Sequence, residues 1–228
     1  MQAVILSAGK GTRLYPLTKE IPKVMVDILG KPILEHHLLL LRKYGIKEIF
    51  INLFTQADKI TSYFKNGKKW GMDIQYAREK KLLGSAGALH YFKKKLKGNF
   101  FVLYGDVFMQ LNLSKMLDFH IKKKSLFTIA VHEARHPKDS DLVEFNIKGK
   151  LKSWIKKPHN KKSGLNSAGL YILNERIFKF LPAVIPFDFA HDFIPLLLKK
   201  TTLFAYKTSE RMIDIGTPER YNNLIKSL

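Results

Sequence analysis

Along the first half of the chain, short apolar runs rich in β-branched and aromatic residues alternate with longer stretches whose apolar positions recur every three or four residues. Ala3–Ser7 predicts a strand, Pro32–Tyr44 a helix and Glu48–Asn52 a second strand. Ala57–Phe64 predicts a helix, Met72–Ala77 a strand and Ala86–Leu96 a helix. Asn99–Tyr104 then predicts a strand that ends at Gly105-Asp106. Leu113–Lys122 follows as a helix and Leu126–His132 as a strand. Strands alternating with helices in this way predict a mostly parallel sheet.

Beyond residue 140 the pattern changes. Leu142–Asn146, Lys148-Gly149 and Lys150–Ile155 predict a hairpin with a glycine-containing turn. Ala168–Leu173 predicts a strand, Phe193–Lys199 a helix, Thr202–Tyr206 a strand and Pro218–Lys226 a closing helix. No internal repeat and no Gly-, Ser- or Pro-rich linker divides the chain. The expectation is one α/β domain over residues 1–228, with a small antiparallel addition in its second half.

Composition narrows the picture. A hydrophobic content of 46% can fill a sizeable core, which excludes disorder. The chain has no cysteine, which removes disulfides, thiolate metal sites and Cys nucleophiles and fits a reducing, cytoplasmic setting. The apolar start is cut short at Gly9–Arg13, so no secretory signal is expected, and the longest apolar runs are too short for a membrane span. The net charge of +21 raises a polyanion partner. The lysines, however, run from Lys10 to Lys226 in small groups, with no basic tail and no aromatic–basic RNA motif. The expectation is therefore a solvated basic surface without a specific nucleic-acid partner, one that also attracts phosphorylated substrates.

The most informative segment follows the first strand: Ser7-Ala8-Gly9-Lys10-Gly11-Thr12-Arg13-Leu14, with Pro22-Lys23 shortly after. Two glycines let backbone N–H groups approach a polyphosphate, and Arg13 and Lys23 can neutralise it. The loop lacks the spacing of a Walker A motif and the third glycine of a dinucleotide fingerprint. On its own it reads equally well as a tight, basic strand-to-helix turn.

Four spaced motifs sharpen that reading. Leu6–Arg13 with Pro16-Leu17-Thr18, Pro22-Lys23 and Gly30-Lys31-Pro32 resembles the opening of the sugar-phosphate nucleotidyltransferase family. Gly84-Ser85-Ala86-Gly87-Ala88 resembles the segment which that family places under the nucleobase. Gly105-Asp106-Val107 resembles its first metal-binding aspartate, and Asp214-Ile215-Gly216-Thr217-Pro218 its second. The resemblance implies a Rossmann-like mixed sheet with helices on both faces. It also implies an enzyme that joins a nucleoside triphosphate to a sugar 1-phosphate, releases pyrophosphate and uses Mg2+.

The residues carried over are as follows. Leu6, Ala8, Gly9, Gly11, Thr12, Arg13 and Lys23 are expected to hold the nucleotide, together with Gly84, Ser85 and Asp106. Asp106 and Asp214 are expected to hold the metal, in keeping with magnesium's preference for one or two carboxylates plus phosphate oxygens and waters. Asp214 also reads as a helix cap ahead of Thr217-Pro218. Arg13 is assigned to the leaving pyrophosphate and Lys23 to the α-phosphate and its attacker. Gly105, Asp141, Lys157, Asn166 and Ser167 are expected to face the sugar phosphate. The resemblance leaves a homodimer open.

Three positions depart from the family pattern. Lys156 stands where a hydroxyl-binding Glu is common. Ser167 stands where Asn is common, with Asn166 one place earlier, and Val24 replaces a second proline after the lysine. Asp139-Ser140-Asp141-Leu142-Val143 with Lys157-Pro158-His159 resembles the mannose- and heptose-phosphate guanylyltransferase branch, which points to GTP and a manno-configured hexose or heptose. Thymidylyl, uridylyl or cytidylyl transfer to another sugar phosphate stays open. So does a catalytically idle nucleotide-sensing or nucleic-acid-binding relative, against which the intact Arg13, Lys23, Asp106 and Asp214 argue.

His132-Glu133-Ala134-Arg135-His136 fits the H-E-x-x-H zinc pattern, which requires a helix. Here it follows a strand-like run, and Pro137 disfavours a helical His136, so a protease is not expected. His36 and His37 read as packing or surface residues of a helix, Trp70 and Trp154 as core or sheet-face aromatics, and Asp192 as a cap for the following helix.

Overall fold

The computed structural model describes residues Met1–Leu228. In chain order the strands and helices are β1 (Gln2–Leu6), β2 (Asp27–Ile28), β3 (Lys31–Pro32), α1 (Ile33–Lys43), β4 (Glu48–Leu53), α2 (Ala57–Phe64) and β5 (Asp73–Arg78). Then come β6 (Asn99–Tyr104), β7 (Val107–Gln110), α3 (Leu113–Lys122), β8 (Phe127–Glu133), β9 (Leu142–Phe145), β10 (Leu151–Ile155) and β11 (Leu165–Asn174). The chain closes with α4 (Ile194–Lys200), β12 (Phe204–Lys207), β13 (Arg211–Asp214) and α5 (Pro218–Ser227). They form a mixed α/β fold that clusters into two compact, interleaved units. One comprises Met1–Leu82, Val102–Leu111 and Arg211–Leu228, the other Leu83–Phe101 and Asn112–Glu210.

In the first unit, β1 pairs in parallel with β4, and β4 in parallel with β5. The strand order is β6-β1-β4-β5. Ala3, Val4 and Ile5 of β1 and Ile49, Phe50 and Ile51 of β4 are fully buried. Strands covered on both faces need apolar residues at every position, which is why these runs are continuous rather than alternating. α1 buries Ile33, Leu34, Leu38 and Leu41, spaced for one helical face. A second, two-stranded sheet pairs β7 antiparallel with β13.

The second unit is mainly antiparallel. β11 pairs with β8 and β9, β9 with β10, and only β12 runs parallel, beside β8. Its core is aromatic: Phe127, Tyr171, Phe189 and Phe193 form one cluster, with ring centroids 4.9 Å apart for Tyr171 and Phe189.

Most elements lie where the hydrophobic pattern predicts them, and the exceptions have local causes. The helix expected over Ala86–Leu96 shrinks to a 3-10 turn at Gly87–Tyr91. The N–H groups of Ala86 and Gly87 both donate to the Phe187 carbonyl, at 3.0 and 2.8 Å, and those of Leu89 and Phe92 close on carbonyls three residues back, at Ala86 and Leu89, rather than four. Asp192 does not cap α4. It lies inside a π-helical turn, Phe189–Phe193, and accepts from the Asp188 N–H at 2.8 Å. β7 and β13 were not anticipated, because each is a four-residue strand beside a stronger motif.

One buried polar link in the second unit has a measurable consequence. His120 of α3 is 1% exposed. Its Nε2–H donates to Asn99 Oδ1 at 3.3 Å, and its Nδ1 accepts from the Thr128 hydroxyl at 2.8 Å. Burial pushes its pKa down from 6.5 to about 4. Between those values the unfolded chain takes up a proton that the folded chain refuses, so this contribution is complete above pH 6.5 and is lost as pH falls towards 4. Stability measured by denaturation across that window should drop by about 3 kcal/mol from this residue. His120→Gln should flatten the slope, and a slope unchanged in that variant would contradict the assignment.

Candidate active site

The phosphate-type loop leaves β1 at Ser7. The Ser7 N–H donates to Asn52 Oδ1 at 2.9 Å, and Asn52 Nδ2 donates to Glu79 Oε1 at 2.8 Å. Asn52 and Glu79, at the ends of β4 and β5, thus form a buried polar chain under the loop. Neither lies in a recognisable motif, and only the parallel register brings them to one edge. Gly11 has φ of 70° and opens a short 3-10 turn, Thr12–Leu14. Its carbonyl accepts from the Thr18 hydroxyl at 2.7 Å, and a Cβ there would lie 3.3 Å from Thr18 and 3.4 Å from Lys23. The turn leaves Arg13 exposed and Leu14 buried.

The aspartates come together through the small sheet. In the β7–β13 register Val107 faces Asp214, and the Ile215 N–H donates to the Asp106 carbonyl at 3.1 Å. Gly105 is a close-approach residue. Its N–H donates to the Leu6 carbonyl at 2.9 Å, and a Cβ would stand 2.7 Å from Val24 and 2.8 Å from that carbonyl oxygen. Asp106 is thereby held against the loop that follows β1.

Lys23 lies between the two carboxylates. Its Nζ is 2.5 Å from Asp106 Oδ2 and 3.9 Å from Asp214 Oδ1, on a side chain only 10% exposed. Arg220, on the first turn of α5, pairs with the other oxygen of Asp214. No motif signalled Arg220; it lies six residues beyond Asp214 and meets it because Thr217 caps α5 and turns the chain back. Gly216 leaves Asp214 room: a Cβ there would lie 2.8 and 2.9 Å from the two carboxylate oxygens.

Burial pushes the Asp106 carboxyl upward, but the Lys23 charge and hydrogen bond, with the Arg13 charge, outweigh it and hold it below the ordinary range. Asp106 is therefore ionised wherever the protein is folded near neutrality. Two hard carboxylates without a third His, Cys, Asp or Glu ligand fit magnesium, which completes its shell with phosphate oxygens and waters. They do not fit zinc, which takes three or four protein ligands. The H-E-x-x-H segment lacks the helix that pattern requires, since His132 and Glu133 end β8 and Glu133 pairs with Lys207 at 3.1 Å.

The second unit carries the other sequence-predicted residues. Gly84 has φ of 79°, and a Cβ would lie 2.6 Å from the Phe187 backbone, so only glycine allows this contact. Beside it, the Ser85 N–H and hydroxyl both donate to Asp188 Oδ1, at 3.0 and 2.9 Å. The Phe189 N–H donates to Ser85 Oγ at 2.9 Å. The segment from Leu83 to Gly87 is thus sewn to residues 187–189, and sequence reading had not singled out Asp188.

Asp141 and Lys157 meet: the Lys157 N–H donates to Asp141 Oδ1 at 2.9 Å, while Lys157 Nζ lies 3.1 Å from both the carbonyl and Oδ1 of Asp139. Asn166 Nδ2 reaches Ser140 Oγ at 3.5 Å. Ser167 turns elsewhere, donating to the Tyr171 hydroxyl at 3.2 Å. Lys156, the departure from the Glu pattern, donates to the His191 carbonyl at 2.6 Å, so the protein itself supplies its acceptor.

A glycine-rich loop after the first strand and a lysine flanked by two strand-end carboxylates define a class: α/β proteins that handle phosphorylated nucleotides. The chain belongs to the nucleotidyl transferase family, whose model matches residues 2–228. It is 34% identical to the D-glycero-α-D-manno-heptose 1-phosphate guanylyltransferase of Campylobacter jejuni, over 99% of both chains. It is 32% identical to the UTP–glucose-1-phosphate uridylyltransferase of Synechocystis, over 100% of this chain and 63% of that protein. The crystal structure of HddC from Yersinia pseudotuberculosis complexed with GMP-PN superposes with a TM-score of 0.83 at 29% identity, covering 99% of this chain and 98% of that one. The chain spans only 52–63% of the length of several curated relatives that it matches.

Asp106→Asn tests the carboxylate pair. It strips Lys23 of its nearest counter-charge and leaves Asp214 as the remaining anion. The variant should fold, lose about 1–3 kcal/mol of unfolding free energy and lose ~100-fold or more in pyrophosphate release. Full turnover would remove Asp106 from the site.

Proposed function

We propose that this protein transfers a nucleotidyl group from a nucleoside triphosphate to a sugar 1-phosphate, with Mg2+, and that its preferred pair is GTP with a manno-configured hexose or heptose phosphate. One observation carries the reading: Lys23 stands between Asp106 and Asp214 beside a glycine loop bearing Arg13.

In this reading a sugar-phosphate oxygen attacks the α-phosphorus, the bond to the β-phosphate bridging oxygen breaks, and pyrophosphate leaves with the electron pair. The attacker is already ionised, so no protein nucleophile is required and the protein positions groups and neutralises charge. The backbone at Gly9 and Gly11 cradles the phosphates. Arg13 meets the leaving pyrophosphate, and Lys23 meets the α-phosphate and its attacker. Asp106 and Asp214 would hold the magnesium, which when bound would offset phosphate charge. Leu6, Ala8 and Thr12 line the nucleotide, with Gly84 and Ser85 beneath the base. Asp141, Lys157 and Asn166 take the sugar phosphate, and Ser167 would join them only by releasing the Tyr171 hydroxyl.

GTP and a manno-type sugar are supported by the end-to-end match to the Campylobacter guanylyltransferase and by the guanine-nucleotide complex of HddC. The Synechocystis relative supports uridylyl transfer as the second reading. A panel of five nucleoside triphosphates against mannose-, heptose- and glucose-1-phosphates, read by pyrophosphate release, decides between them. GTP with a manno-type phosphate should give the highest kcat/KM. In that reaction Asp141→Ala should raise the KM for the sugar phosphate by ~ten- to a hundredfold and leave that for GTP nearly unchanged. Efficient dTTP or UTP turnover with glucose-1-phosphate, and none with manno-type phosphates, would overturn the substrate assignment.

A further inference from the structure

α1 carries a histidine that is neither at the surface nor merely packed. His37 is fully buried, and its Nε2 lies 2.7 Å from the Val107 carbonyl oxygen. A carbonyl can only accept, so Nε2 carries the hydrogen and Nδ1 is bare. Nδ1 is buried with no partner. Such a nitrogen costs stability that a leucine of similar size would not, so what the imidazole provides is the hydrogen bond from its other face.

The bond lands at a telling position. Val107 follows Asp106 directly, begins β7 and stands opposite Asp214 in the β7–β13 register. The neighbouring Ile215 N–H closes on the Asp106 carbonyl. Two successive peptide groups are therefore held from opposite sides: the Asp106 carbonyl by the β13 side and the Val107 carbonyl by His37 of α1, a helix whose other buried residues are aliphatic apart from Glu35. His36 reinforces the same anchorage: its Nε2 is 2.7 Å from the Ile28 carbonyl, and its ring meets Phe108 edge-on at 5.3 Å.

We infer that His37 is a positioning residue, whose Nε2–H holds the Val107 peptide so that Asp106 and Asp214 present their oxygens to one divalent cation. This rests on the two-carboxylate reading above. The test uses the full chain with the α,β-methylene analogue of GTP, titrated with Mn2+ and followed by electron paramagnetic resonance. His37→Gln places an amide N–H near the Nε2 position, whereas His37→Asn keeps the chemistry with a shorter reach and His37→Leu keeps only the bulk.

Wild type and His37→Gln should titrate alike. His37→Asn and His37→Leu should need ~tenfold more Mn2+, and in turnover ~tenfold more Mg2+ for half-saturation, with the KM for the sugar phosphate unchanged. Folded Asn and Leu variants that titrate like wild type would overturn the inference, and so would a Gln variant no better than Asn. If the Leu variant does not fold, the Gln–Asn comparison decides alone. Asp106→Asn is run alongside: undiminished Mn2+ binding there would show that the two-carboxylate reading has failed, not the role of His37.

Discussion

The arrangement of the first unit depends on one electrostatic constraint. The Lys23 ammonium is nearly buried, and a buried cation without a counter-charge would be strongly destabilising. Asp106 and Asp214 provide that counter-charge, but they are far apart in sequence and meet only if β7 and β13 pair in the observed register. Slipping that ladder by one residue would turn Asp214 to the opposite face and leave Lys23 with Asp106 alone. Folding and site assembly are thus coupled through the same three charges.

Glycine serves this assembly in two separate ways. At Gly105 the chain must pass 2.8 Å from the Leu6 carbonyl oxygen, and at Gly216 it must leave room for the Asp214 carboxylate, so any Cβ would collide. At Gly84 a positive φ and a close backbone contact with Phe187 coincide. Such positions look alike in sequence. Only the neighbouring atoms show whether a glycine is needed for its conformation or for its small size.

The second unit is held by local polar stitching rather than by buried charge. Ser85, Asp188 and Asp192 form a chain of side-chain and backbone bonds that shapes the residues around Gly84. Lys157 and Lys156 are each tied down by acceptors within the unit. Exposed pairs of this kind contribute little stability, so their main effect is to fix where side chains point.

What the sequence determined by itself was anything that depends on near neighbours. The continuous apolar runs of β1 and β4, the helical spacing of α1 and α3, and the Gly149 turn between β9 and β10 follow from local pattern and turn chemistry. Lys23, Asp106 and Asp214 were legible because each lies in a short motif. Tertiary structure decided what depends on partners distant along the chain. The helix expected over Ala86–Leu96 is a short 3-10 turn whose start docks on the Phe187 carbonyl. Asn52 and Glu79 meet through the parallel register, and Arg220 reaches Asp214 through the cap of α5. His37, which the helical pattern reads as packing, is oriented by a carbonyl seventy positions away. A hydrogen bond or ion pair is a statement about a few ångströms of space, and spacing along the chain encodes such distances only within a helix, a strand or a turn.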